Sequence, residues 1–115
     1  MKRVVIAGSR TCDDYDFVKS KLDQIKWKED DVIISGCANG ADSLGERYAK
    51  EHNIKLERYP ADWNQYGKKA GYIRNKKMAE VCTHGVVFWD GKSKGSALMI
   101  DLLSKFRRRY VVFYI

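Results

Sequence analysis

The residues able to handle an anion or a sugar fall in four loops and one helix start. Gly8-Ser9-Arg10 ends an apolar run that begins at Arg3. The glycine allows close backbone approach, Ser9 has a hydroxyl for a phosphate oxygen, and Arg10 can clamp an anion through two N–H donors. The second loop, Ser35-Gly36-Cys37-Ala38-Asn39-Gly40-Ala41-Asp42, leads small residues directly into a helix. Its backbone amides and the helix dipole can cradle an anion. The spacing is neither a Walker A loop nor G-x-G-x-x-G, so it does not license a dinucleotide or NTPase site. Asp42 would repel a phosphate placed there, but it can accept from ribose hydroxyls or cap the helix.

The third segment, Pro60 to Gly71, reads as a polar, aromatic loop of about a dozen residues, a length that is uncommon unless functional. From it Asp62 is a polar candidate, Trp63 and Tyr66 can stack on a base, and Lys68 can meet a phosphate. Trp63 can equally plug the loop against the fold. Arg74-Asn75 opens the next helix, where a cation near the positive dipole end points to a nearby anion; an exposed, solvated arginine is the plain alternative. The fourth loop, Asp90-Gly91-Lys92-Ser93-Lys94-Gly95-Ser96, is a second glycine-bearing turn suited to phosphate or ribose. Gly91, Lys94, Gly95 and Ser96 are its candidates. Asp90 is the best-placed carboxylate in the chain, or a turn-forming Asp before Gly.

These loops need a scaffold, and hydrophobic period supplies one. Short β-rich runs at 3–8, 31–35, 54–59, 84–89 and 110–115 alternate with helix-length segments. Val18, Leu22 and Ile25 mark the first helix, and Ala41, Leu44, Tyr48 and His52 the second. A weaker pattern from about Ala70 to Cys82 marks the third. Met99, Leu102, Leu103 and Phe106 mark the fourth, closed by Arg107-Arg108-Arg109, which should complement its C-terminal dipole. Alternation with continuous apolar strands implies a Rossmann-like, doubly wound α/β fold: one five-stranded parallel sheet with four helices. Ligands of such sheets bind outside the carboxyl ends of the strands, where the candidate loops lie.

At 115 residues the chain reads as a single domain, 1–115, with no room for a separate effector domain. Its 22 basic against 15 acidic residues leave a net +7, which favours an anionic partner of unspecified kind. Cys12, Cys37 and Cys82 form no CxxC pair, so neither a disulfide framework nor a zinc ribbon is indicated and no metal site is expected. A reducing cytoplasm is the expected location. No stretch approaches the ~20 apolar residues of a membrane span, so no membrane partner is expected. His52 and His84 have no partner at catalytic or metal spacing, and Cys37 has no adjacent base.

In order along the chain, Gly8-Ser9-Arg10, Ser35 to Asp42, Pro60-Ala61-Asp62-Trp63, Tyr66-Gly67-Lys68, Ala70-Gly71, Arg74-Asn75 with Met78, and Phe88-Trp89-Asp90-Gly91 with Lys94-Gly95-Ser96 resemble the YspA-like branch of the SLOG superfamily. The resemblance implies a Rossmann-like fold and a nucleotide or nucleotide-derived ligand; relatives include the cytokinin-activating LOG enzymes and the DNA-binding DprA proteins. Cys12 stands where that family more often has an aromatic, and Cys37 where a second glycine is usual. LOG enzymes cleave the bond between base and ribose 5-monophosphate with an Arg and a Glu. Arg74 matches the Arg, whereas the Glu position falls on Met99, which disfavours that hydrolysis.

The expectation is therefore a protein that senses, carries or sequesters a small nucleotide derivative at the carboxyl edge of the sheet. It would need no cofactor, would prefer a small molecule to nucleic acid, and leaves homo-oligomerisation open. The rival is a hydrolase of an N-glycosidic or phosphate bond, with Asp90 as acid or base and Arg74 as the clamp.

Overall fold

Strand β1 (Arg3–Gly8) sits at the centre of the sheet because four of its residues, Val4 to Ala7, are buried and the chain has apolar groups for both of its faces. A computed structural model describes residues 1–115. The order of elements is β1, α1 (Tyr15–Leu22), β2 (Val32–Ser35), α2 (Ala41–Glu51), β3 (Lys55–Arg58), α3 (Trp63–Tyr66), a 3₁₀ turn (Gly67–Lys69), α4 (Ala70–Val81), β4 (His84–Trp89), α5 (Lys94–Lys105) and β5 (Arg109–Tyr114). All five strands run parallel in the order β3-β2-β1-β4-β5. The Rossmann-like architecture with four long helices is as the alternation implied.

Side chains on a strand alternate between faces, so each central strand feeds two cores. Val4, Ile6, Ile33, Val86 and Phe88 pack under α1 and α2 with Val18, Leu22 and Tyr48. Val5, Ala7, Val32, Ile34 and Val87 pack under α4 and α5 with Met78, Met99, Leu102 and Leu103. Asp14 caps α1, its Oδ1 accepting from the Phe17 N–H at 3.1 Å.

Three local expectations change. The segment after β3 is largely helical: Asp62 accepts from the Gln65 N–H at 3.1 Å and starts the single turn α3, so a local cap folds what composition reads as a loop. Arg74 is the fifth residue of α4, past its first turn. Arg108 serves a neighbouring helix and not its own, donating to the Ala79 and Glu80 carbonyls at 3.0 and 2.7 Å, at the end of α4. No helix is long and apolar enough to cross a membrane.

Candidate functional site at the strand-order reversal

From β1 the strand order runs one way to β2 and β3 and the other way to β4 and β5, so the loops after β1 and β4 part company at their carboxyl ends. Ser9 stitches the surrounding loops together. Its N–H donates to the Phe88 carbonyl at 2.8 Å, its carbonyl accepts from Ala41 N–H at 3.2 Å, and its hydroxyl accepts from Asp90 N–H at 3.0 Å. With 1% of its surface exposed, Ser9 holds the rim of the site and does not face a ligand. Gly8 permits this closure: its φ is +153°, and a Cβ there would strike the Phe88 carbonyl and lie 2.9 Å from Ala41 Cβ.

The crevice that results is a cavity of about 360 Å³, lined by Gly8, Arg10, Ala38, Asp42, Arg74, Asn75, Asp90, Gly95 and Ser96 among the sequence candidates. That volume lies within the roughly 300–1,000 Å³ of small-molecule sites. Ala7, Thr11, Met78, Ser93 and Met99 complete the wall without having been singled out as ligand groups. Ser93 was legible, being a serine immediately before a helix; its Oγ accepts from Ser96 N–H and caps α5. Met99 is 1% exposed yet forms part of the wall, so the helical stripe that marks it as core also carries it beneath the site.

Arg74 joins the parts. Its Nη1 donates to the Gly36 carbonyl and its Nε to Asn75 Oδ1 at 2.7 Å, while Asn75 Nδ2 reaches the Gly95 carbonyl at 3.5 Å. The loop after β2, helix α4 and the start of α5 are thereby connected through one guanidinium and one amide. Arg74 is half-buried, which sets aside the solvated alternative. It also borders a second cavity of about 260 Å³, lined by Arg10, Gly36, Cys37, Ala38 and Trp63. Trp63 is 55% exposed and so does not plug the fold.

Other candidates lie apart. Tyr66 and Asp62 border an outer groove, Lys68 and Lys94 are exposed away from the cavities, and Gly91 turns at φ +79° outside the wall. Ser35 is buried, its hydroxyl donating to Glu46 at 2.7 Å. Gly40 and Ala41 form the turn into α2, whose first N–H is taken by the Ser9 carbonyl. That leaves α5, capped by Ser93, as the more open of the two helix starts. Cys37 has φ +66°, a left-handed conformation that glycine adopts without strain, so the cysteine there is held against its backbone preference.

The two carboxylates behave oppositely. Asp90 Oδ1 accepts from Lys92 and Ser93 N–H at 2.9 and 2.8 Å, and these bonds hold its acid below the usual range. Asp42 is 5% exposed and bonded to Ala38 N–H at 3.2 Å. Burial pushes it up to about 6, against the opposing pull of the Ala38 N–H, Arg74 and Arg10. Unfolded, it would ionise near 3.9, so from about pH 4 to 6 the native state binds more protons and stability falls as pH rises. A displacement of about two units makes ionised Asp42 cost the fold roughly 3 kcal/mol. Asp42→Asn, which keeps an acceptor for Ala38, is therefore expected to raise the melting temperature at about pH 7.5 and not at about pH 4. A variant whose melting curve tracks the parent at every pH would refute this.

Comparison with known proteins gives a consistent picture. A family model described as the YspA, cpYpsA-related SLOG family matches residues 2–66. Gene 61 protein of Mycobacterium phage D29 is 35% identical, over 84% of this chain and 83% of that protein. The X-ray structure of DNA processing protein A (DprA) from Streptococcus pneumoniae has a TM-score of 0.78 at 18% identity; the match covers 96% of this chain and 49% of that one. The chain thus spans about half of that solved protein, and the likeness is one of fold.

Proposed function

Because this chain belongs to the YspA, cpYpsA-related SLOG family, we propose that it binds a nucleotide or nucleotide-derived small molecule in the crevice between β1 and β4. One observation carries the reading: Arg74 borders both the cavity at the start of α5 and the cavity beside exposed Trp63. A cation set between an anion seat and an aromatic face suits a molecule with a phosphate at one end and a base at the other. The phosphate is assigned to Ser93, Gly95 and Ser96 with Arg10 and Arg74, and the base to Trp63. Asp42, which lines the cavity, is assigned to a ribose hydroxyl. The phosphate therefore belongs on α5 and not on both glycine-bearing loops, since the start of α2 is covered by Ser9 and carries Asp42.

Calorimetry of the protein against nucleoside mono-, di- and cyclic phosphates and ADP-ribose derivatives tests this. At least one is expected to bind below millimolar concentration; failure of the whole panel rejects the proposal.

The hydrolase reading keeps one supporting observation, and it shifts the residue. Asp90 is held ionised by two N–H donors and is a poor proton donor, whereas Asp42 holds a proton to about pH 6 beside Arg74. If a bond is cleaved, Asp42→Asn should remove the new base or phosphate peak on chromatography of nucleotides after long incubation. A peak that survives Asp42→Asn excludes that residue as the acid.

A further inference from the structure

We infer that this chain forms a two-fold dimer by pairing β5 with β5 of a second copy, antiparallel and centred on Val112, so that the two sheets join into one. β5 is an edge strand, bonded to β4 alone. Four of the eight exposed large apolar or aromatic residues, Tyr110, Val111, Tyr114 and Ile115, lie on it or at its end. It has no proline, and no charge after Arg109, devices that commonly protect an edge. The opposite edge is blunted: β3 has four residues, of which Lys55, Glu57 and Arg58 are charged. With one open edge per copy, β5 has only another β5 to meet, which closes a pair and does not propagate a fibre.

Backbone phase fixes the register. Ile115 N–H donates to the Trp89 carbonyl at 3.0 Å, so in the parallel ladder Arg109, Val111 and Phe113 bond β4, and Tyr110, Val112 and Tyr114 turn N–H and C=O outward. An antiparallel partner centred on Val112 sets Val112 against Val112 and Tyr110 against Tyr114, and each outward N–H meets an outward carbonyl. Both tyrosines are already held on the α5 face. The Tyr110 hydroxyl lies 2.8 Å from Ser104 Oγ, and the Tyr114 ring centroid 5.9 Å from that of Trp89. Cross-strand aromatic pairs then form twice by symmetry. Charge selects the same arrangement. On the other face, where Phe113 packs against Phe17, the register sets Arg109 against Ile115 of the second copy. Ile115 borders a pocket with Asp13 and Asp14. Neither Arg109 nor Asp13 has an ion-pair partner within its own chain. An in-register parallel pair would instead set Arg109 against Arg109.

Sedimentation equilibrium of the whole protein at micromolar concentration is expected to give twice the mass of the chain. Val112→Pro removes an N–H that does not serve β4, at an edge position where proline is tolerated. It should weaken the dimer by about tenfold to a hundredfold, the loss of one hydrogen bond from each copy. Tyr110→Lys, at an exposed site, should weaken it too and decides the matter if the proline variant fails to fold. Arg109→Glu should also loosen the pair, and adding Asp13→Arg should restore it, a rescue that another register does not give. A monomer at every concentration overturns the inference, as does a dimer that survives both Val112→Pro and Tyr110→Lys in folded protein. So does an open series of larger oligomers, a monomer that takes up only an added extended peptide, or a charge swap that fails to rescue. None of these outcomes bears on the nucleotide reading.

Discussion

Replacing Arg74 by alanine is expected to weaken binding of a phosphorylated nucleotide by about tenfold to a hundredfold, the loss of one charge-assisted hydrogen bond of about 1.5–3 kcal/mol. Three consequences coincide at this residue. The anion loses a cation shared by both inner cavities. The Gly36 carbonyl loses its donor, so the loop after β2 is no longer tied to α4. Asp42 loses a charge that draws its acid downward, so it should hold its proton to a still higher pH. Arg74→Lys separates these effects, because lysine keeps the charge without the planar fork that serves Gly36 and Asn75 together. Lysine should recover part of the affinity and none of the two-point tie. Calorimetric affinity for alanine equal to that of the parent, in a variant that melts normally, would remove Arg74 from the site.

Gly8→Ala is expected to be strongly destabilising. Its Cβ has no free direction: the Phe88 carbonyl occupies the space and Ala41 Cβ lies 2.9 Å away, at a φ of +153° that L side chains rarely adopt. Relief requires β1 and β4 to separate at the point where Ser9 N–H bonds the Phe88 carbonyl, which also opens the rim of the crevice. A cost of about 3 kcal/mol is expected from overpacking and backbone strain. That should lower the melting temperature by roughly 10 °C for a domain of this size. Gly95→Ala is the matched control, since nothing lies within 4 Å of its added methyl. Near-equal melting of the two variants would contradict the close approach between β1 and β4.

Those two substitutions mark different kinds of information in the chain. Gly8 and Arg74 were both singled out by position, Gly8 because it ends an apolar run and Arg74 because a cation near a helix start needs a reason. Their partners were not visible. Gly8 meets a carbonyl 80 residues away in sequence, and Arg74 a carbonyl 38 residues away. Within the third segment, the Asp62 cap over Gln65 was a local signal, yet the abundance of polar and aromatic residues there reads as an irregular loop. The two carboxylates are the clearest reversal. Asp90 ends a strand before a glycine and attracts attention, but two backbone donors fix it as an ionised turn residue. Asp42 reads as a helix-start acid, and only its burial under the neighbouring loops lifts it to about 6.

The sequence alone determined the α/β class, the parallel sheet, the two cores and the family motifs. Each of these depends on local period, or on which residue types follow a strand, and such features do not require knowing what lies across the fold. The tertiary structure decided which of the candidate residues share a cavity. It turned Ser9 and Ser35 inward, set Trp63 and Tyr66 beside different cavities, and put Arg74 on the border of both. The physical reason is that hydrogen-bond partners and desolvation come from chain segments far apart in sequence, brought together only where the strand order reverses.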